Sequence, residues 1–179
     1  MLASFMSSHG WDFKHTTVPD SLPALVQTDS RKLAPGQWFV PIVGENHDGH
    51  QFIETACAAG AAGFLYARSY AQTLDTSLKA KGIAVDDTFK AVQDLAQWWR
   101  TQQPGCQVIG ITGSSGKTSV KELCAEMLGG IAPTLKTAGS LNNELGVPLT
   151  LLQLTSEHKY AVIEMGARHQ GDIAFLTAI

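Results

Sequence analysis

Short apolar runs alternate along the chain with segments of helical period, the pattern of an α/β protein. Trp38-Phe39-Val40-Pro41-Ile42-Val43 reads as a strand, with Pro41 marking an edge or a bulge. Phe52, Ala56 and Ala59 recur at helical spacing and predict a helix from Gln51 to Ala62, ended by Gly60 and Gly63. Gly63–Ala67 and Ile83–Val85 are short strands; Ser69 to Gly82 has no strong period and reads as a weak helix with loops. Asp86-Asp87-Thr88 supplies a helix N-cap, and Phe89, Val92, Leu95, Ala96 and Trp99 form one apolar face before Gln102-Gln103-Pro104-Gly105 stops the helix. Val108–Thr112 is a buried-strand run followed by a glycine-bearing loop. The next helix carries Val120, Leu123, Cys124, Met127 and Leu128 as its apolar face and ends at Gly129-Gly130. Thr134–Ala138 and Tyr160–Glu164 are further strands, and a helix begins near Gly171. A boundary near Asp86 divides a domain of residues 1–86 from one of residues 87–179.

A chain of 179 residues is one ordinary domain or two small ones. Composition mainly removes classes. At 44% hydrophobic and formal net charge −3, the chain is too apolar for disorder. With 13 Lys+Arg against 16 Asp+Glu it has no basic surplus, which argues against nucleic acid as a partner. Its most apolar stretch, Ala56 to Ala67, is broken by two glycines and far short of a membrane span, so no membrane insertion is expected. The N-terminus contains His9, Asp12 and Lys14 and lacks the apolar run of a secretory signal. Cys57, Cys106 and Cys124, an odd number without CxxC spacing, read as reduced and mostly buried thiols; the cytoplasm is the expected compartment. A charged fraction of 16% lies below the usual quarter and suggests extra buried surface.

The strongest chemical signal is Thr112-Gly113-Ser114-Ser115-Gly116-Lys117-Thr118-Ser119, set between a strand and a helix. Gly113 and Gly116 let backbone N–H groups turn inward around a phosphate, and the helix N-terminus adds its positive dipole. Lys117 can neutralise terminal phosphate oxygens and Thr118 can offer its hydroxyl to Mg²⁺. Ile111 stands where the strict GxxxxGK[ST] pattern has its first glycine, leaving the shorter TGxxGK[ST] form. Glu164 ends an apolar strand 47 residues after Lys117. A carboxylate there can hold Mg²⁺, or can be a solvated strand-end group. Asn142 and Asn143 lie in a polar loop where they could reach phosphates, although the bare pattern fits a structural turn as well. In the first part, His47, Asp48 and His50 supply two or three metal ligands at most. A polar loop that hydrogen-bonds a ligand, or caps the helix from Gln51, fits those residues better.

Three motifs then fall into one order. The loop Thr112–Ser119, Asn142-Asn143-x-x-Gly146-x-Pro148 and Glu164-Met165-Gly166-Ala167 together resemble the central ATP-binding domain of the Mur ligases. Asp29-Ser30-Arg31, the run from Pro35 to Glu45, and Asp48-Gly49-His50-x-Phe52 are similar to the UDP-substrate domain of that family. The resemblance implies a small N-terminal α/β substrate domain followed by the first part of a P-loop-type parallel-sheet ATP-binding domain. It implies ATP-dependent joining of D-alanyl-D-alanine to UDP-N-acetylmuramoyl-tripeptide through an acyl phosphate, in peptidoglycan synthesis, by an enzyme that is a monomer in its full-length form. ATP and Mg²⁺ are the implied cofactors. Gly113 to Ser119, Asn142 and Asn143 would lie on the nucleotide, with Lys117 catalytic. Thr118 and Glu164 would hold the metal, and Ser30, Arg31, Asp48, Gly49 and His50 would lie near the UDP moiety. The family's later segments, including its carbamylated lysine and a C-terminal domain, have no counterpart here, so this chain alone is expected to ligate nothing. Two other readings stand beside this one: a different P-loop nucleotide-binding protein (another Mur-type ligase, a kinase or a GTPase), and a non-catalytic nucleotide-binding fragment.

Overall fold

A computed structural model describes residues 1–44 and 47–179; Glu45, within the run from Pro35 to Glu45, lies outside the described residues. The chain divides into two compact units, Met1–Val92 and Gln93–Ile179.

The first unit is built on four parallel strands in sequential order: β1 (Val26–Gln27), β2 (Trp38–Phe39), β3 (Gly63–Ala67) and β4 (Gly82–Val85). Helices α1 (Leu2–Ser8), α2 (Leu22–Leu25), α3 (Ile53–Ala58) and α4 (Thr76–Lys79) accompany it, with 3₁₀ turns at Ser30–Lys32, Gly49–Phe52 and Arg68–Thr73. Its core includes Phe39, Ile53, Ala56, Phe64, Tyr66 and Leu74. Two expectations are corrected. The strand expected over Trp38–Val43 ends at Phe39: Val40 N–H still reaches Gln27 O, but Pro41 has no N–H to continue the ladder. The helix expected over Gln51–Ala62 is a 3₁₀ turn followed by α3, because Asp48 caps the turn by accepting the His50 N–H. Ile53 and Ala56 are its buried positions, while Phe52 and Ala59 are exposed.

Helix α5 (Thr88–Thr101) starts where the acidic cap places it, with Asp87 Oδ1 accepting from the N–H groups of Phe89 and Lys90. Val92, Leu95 and Ala96 on its apolar face are buried. The division between the units falls within this helix.

The second unit holds a three-stranded parallel sheet in the order β5-β7-β6: β5 (Gln107–Ile111), β7 (Tyr160–Glu164) and β6 (Thr134–Lys136). Helix α6 (Lys117–Gly129) lies against all three strands, α7 (Gly146–Leu151) packs on β7, and α8 (Asp172–Ala178) closes the chain. β7 is buried from Ala161 to Glu164, as its apolar run implies. β5 is not: among the described residues it is an edge strand, and only Ile111 is buried. The face of α6 is as expected only at Cys124 and Leu128. Val120, Leu123 and Met127 are 48%, 65% and 74% exposed, whereas Lys121 and Ala125 are buried. Small Ala125, with half-buried Cys124 and Leu128, packs with Ile111 and Val162. The three cysteines are free and half-buried rather than mostly buried. No helix among the described residues is long and apolar enough to cross a membrane.

Candidate functional site

β5 ends at Ile111 and α6 begins at Lys117, so five residues, Thr112 to Gly116, make the glycine-bearing loop between them. Gly113 and Gly116 both have positive φ, +148° and +77°, the backbone region that favours glycine. Gly116 is the N-cap of α6 and no side chain caps this helix end. Its first N–H groups have no carbonyl one turn back, and they carry the positive end of the helix dipole. Ser114, Ser115, Thr118 and Ser119 are exposed around this end. Lys117 Nζ donates to Gly113 O at 2.8 Å, folding the lysine over its own loop.

Glu164 is the last residue of β7 and lies in register with Ile111, directly beside the start of the loop. It is 1% exposed. Oε1 accepts from Asn142 Nδ2 at 2.8 Å, while among the described residues Oε2 is buried with no hydrogen-bond partner. A buried acceptor left unsatisfied costs about 1–3 kcal/mol, more for a charged group. A solvated strand-end role does not fit such an oxygen. A divalent cation or its bound water does; Thr118 is exposed in the first turn of α6.

The Asn-Asn-x-x-Gly-x-Pro spacing has a local cause. Asn143 Oδ1 accepts the Gly146 N–H at 2.8 Å and so starts α7. A Cβ on Gly146 would lie 2.4 Å from the carbonyl carbon of Leu141, so only glycine fits there. Pro148 falls in the first helical turn, where its missing N–H costs little. Asn142 is fastened separately: its carbonyl accepts the Gly166 N–H at 2.8 Å, and its amide holds Glu164. Glycine at 166 makes room for that amide. Lys117, Asn142, Asn143 and Gly166 line one cleft of about 420 Å³ together with Arg168, His169 and Asp172. The last three were not legible as site residues from the sequence. The signal available was their position just beyond a strand end that carries a buried carboxylate. Asp172 Oδ2 accepts the N–H groups of Arg168 and His169, which fixes that turn and holds the Asp172 carboxyl below its ordinary pKa.

The first unit has its own cleft of about 510 Å³, lined by Ser30, Arg31 and Gly49 with Thr28, Asp29, Phe39, Ile42, His47 and Phe52. Arg31 donates from Nε and from its terminal nitrogen to the two oxygens of Asp29, each at 2.9 Å. Those side-chain bonds, with the Arg31 N–H, hold the Asp29 carboxyl down to about 2. Asp48 and His50 flank Gly49 and are not among the residues lining this cleft. His50 is 2% exposed; its Nε2 accepts the Ala67 N–H at 2.9 Å, so Nδ1 carries the proton given to Asp48. Burial pushes the Asp48 carboxyl up, but hydrogen bonds from the His50 N–H and ring override it and the net shift is down. Gly49 between them has a steric reason: a Cβ there would lie 2.7 Å from the Ile42 nitrogen. Thus Ser30, Arg31 and Gly49 come together on one surface, and Asp48 and His50 buttress it. Thr28, Phe39 and Ile42, apolar or neutral parts of the cleft, gave no chemical signal in the sequence.

Residues 111–179 match the model of the Mur ligase middle domain, and residues 24–100 that of the Mur ligase family catalytic domain. Among curated relatives, the UDP-N-acetylmuramoyl-tripeptide–D-alanyl-D-alanine ligase of Escherichia coli K12 is 50% identical over 154 residues, covering 86% of this chain and 32% of that protein. The ligase of the same name from Bacillus subtilis 168 is 42% identical over 154 residues, covering 86% and 33%. This chain therefore spans about a third of the length of these relatives. Among solved structures, MurF from Acinetobacter baumannii superposes with a TM-score of 0.81 at 35% identity, covering 98% of this chain and 37% of that one. MurF ligase from Thermotoga maritima in complex with ADP gives 0.74 at 32% identity, covering 89% and 36%.

Proposed function

The chain belongs to the Mur ligase family, and from that premise we propose that its second unit binds ATP and its first unit a UDP-linked muramoyl peptide. The reaction of the whole protein, on this reading, joins D-alanyl-D-alanine to UDP-N-acetylmuramoyl-tripeptide in the cytoplasm. The observation that carries the reading is the buried, half-satisfied carboxylate of Glu164 in register with the residue that opens the phosphate loop.

The chemistry follows from what a carboxylate lacks. It is a poor acyl donor until phosphoryl transfer from ATP turns it into an acyl phosphate that an amine can attack. Mg²⁺, when bound, would screen charge on the phosphate oxygens, and Thr118 and Glu164 are the residues suited to hold it. The rest is positioning and electrostatics supplied by this chain. The uncapped N–H groups of α6 and the loop between Gly113 and Gly116 would cradle phosphate oxygens. Lys117, already in the cleft, would leave Gly113 O for a phosphate oxygen and offset charge as the phosphoryl group moves. Asn142 would keep Glu164 aimed, and Asn143 would hold the cleft wall by capping α7. In the first unit, Ser30, Arg31 and Gly49 would meet the UDP moiety, with Asp48 and His50 fixing the turn behind them.

Calorimetric titration of the chain with MgADP and MgATP tests the nucleotide half. Lys117→Ala is expected to weaken binding at least about tenfold, the worth of one charge-assisted bond, with thermal unfolding unchanged. Equal affinity of the two proteins would refute the role of Lys117. Amide shift mapping of the same chain with the UDP-muramoyl-tripeptide tests the other half. Shifts should gather at residues 28–31 and 47–52, and no response there at millimolar ligand would remove the assignment.

A further inference from the structure

Lys121 is the one lysine that is fully buried among the described residues, one helical turn beyond Lys117. An ammonium has three N–H donors. Nζ of Lys121 donates to Thr137 O at 2.9 Å, Gly139 O at 2.8 Å and Glu122 Oε1 at 2.8 Å, so every donor is used inside the protein. It has nothing left to offer a phosphate, and it does not line the cleft. A charge taken fully out of water persists only where such partners repay its desolvation.

The partners it holds lead to the site. Thr137 sits just past β6: its N–H donates to Val162 O, and its hydroxyl oxygen accepts the N–H of Glu164 at 2.9 Å. Gly139, with φ of +55°, begins the turn that brings Asn142 to the Glu164 carboxylate. One ammonium therefore joins the helix of the phosphate loop, the loop that carries Asn142 and the strand end that carries Glu164. We infer that Lys121 is a positioning residue: its clamp on the Thr137 and Gly139 carbonyls sets the Asn142–Glu164 pair against the N-terminus of α6, and so sets the divalent-cation side of the nucleotide site. The functional consequence rests on the nucleotide reading proposed above; the positioning itself does not.

Two readouts test it. The first is the side-chain amide of Asn142 in nitrogen–proton spectra of the chain, identified by its loss in Asn142→Ala. The second is ADP affinity with Mg²⁺ and with EDTA. Lys121→Met keeps the length of the side chain and removes all three donors. It should move the Asn142 amide resonances to the position of an unbonded amide. ADP affinity in EDTA should stay within about twofold of wild type, because the phosphate loop and Lys117 are intact, while the gain from Mg²⁺ should fall at least about fivefold, most of one charge-assisted contact. Thr137→Val breaks the same linkage at the Glu164 N–H without touching the ammonium and should act in the same direction, so it decides the matter if Lys121→Met does not fold. Unmoved Asn142 resonances, or an unchanged Mg²⁺ gain in a folded variant, would overturn the inference. If wild type itself binds no ADP, the nucleotide reading falls, and the Asn142 resonances alone still decide for or against Lys121.

Discussion

Replacing Gly166 by alanine adds one methyl group at the most crowded point beside the carboxylate. No positive φ is involved at this glycine, so its backbone suits alanine and the issue is space. In the unfolded chain the substitution alone would stabilise by about 0.4–1 kcal/mol. The folded state opposes this, because the new Cβ would lie 2.8 Å from Asn142 Oδ1 and 3.0 Å from its Cγ. The Asn142 side chain can swing away at little steric cost, yet doing so breaks its bond to Glu164, a hydrogen bond to a charged group worth about 1.5–3 kcal/mol. If it stays, overpacking costs about 1–3 kcal/mol. The mid-range values leave a net destabilisation of about 1.5 kcal/mol if the bond breaks and about 1.3 kcal/mol if the side chain stays. Urea unfolding followed through amide signals of the second unit measures it. An Asn142→Ala background supplies the control: with the clashing amide gone, Gly166→Ala should become neutral or slightly stabilising. The same cost in both backgrounds, or no cost in the wild-type background, would refute the argument that Gly166 is glycine to make room for Asn142.

Other outcomes follow from features already described. His50→Leu leaves the part-buried Ala67 N–H without its acceptor, and should lower stability by about 1 kcal/mol in thermal unfolding of the chain; an unchanged midpoint would show that the buttress is dispensable. Leu123→Ala and Met127→Ala on the exposed face of α6 should stay within about 0.5 kcal/mol of wild type, while Leu154→Ala, at a fully buried position between α7 and β7, should cost about 2–5 kcal/mol. Comparable losses at all three positions in urea melts would contradict the helix orientation. Asp29, held down to about 2 by Arg31, should favour the folded unit above the ordinary carboxyl value of 3.8 and lose that contribution as pH falls through about 2. Carboxyl NMR titration should place its midpoint near 2 and return it toward 3.8 in Arg31→Ala, and a wild-type midpoint at 3.8 would exclude the pairing.

What was legible in the sequence is what neighbours in the chain decide. The glycine-bearing turn into α6, the acidic cap of α5 and the buried strand β7 depend on residues within a few positions of one another, and all stand where the pattern puts them. What failed depends on distant partners. An apolar periodicity assigns the inner face of α6 to Val120, Leu123, Cys124, Met127 and Leu128; only Cys124 and Leu128 face inward, because nothing local reveals that Lys121 meets carbonyls 16 and 18 residues away. β5 reads as buried from its valine and isoleucines, but burial depends on what lies on both sides, and among the described residues β5 is paired along one edge only, by β7. Helix α1, with Leu2, Phe5 and Met6 buried, is not legible because seven residues offer barely two turns of pattern. At the candidate site the residue types were visible while their division of labour was not. Asn142 and Asn143 look equivalent in the sequence, yet one aims a carboxylate and the other starts a helix.

The bond from Lys117 to Gly113 O bears on which ligands the loop can tell apart. A lysine waving in water must be ordered by whatever it meets, and fixing that side chain costs up to about 2 kcal/mol. Here the ammonium is already held within its own loop, so an incoming group meets a partly ordered lysine and must outbid a neutral carbonyl for it. A hydroxyl or an amide oxygen offers nothing better than Gly113 does. A phosphate oxygen offers a full negative charge and a stronger bond. On the nucleotide reading proposed above, the loop would act as a threshold, giving up its lysine to an anion and not to neutral oxygens that drift past.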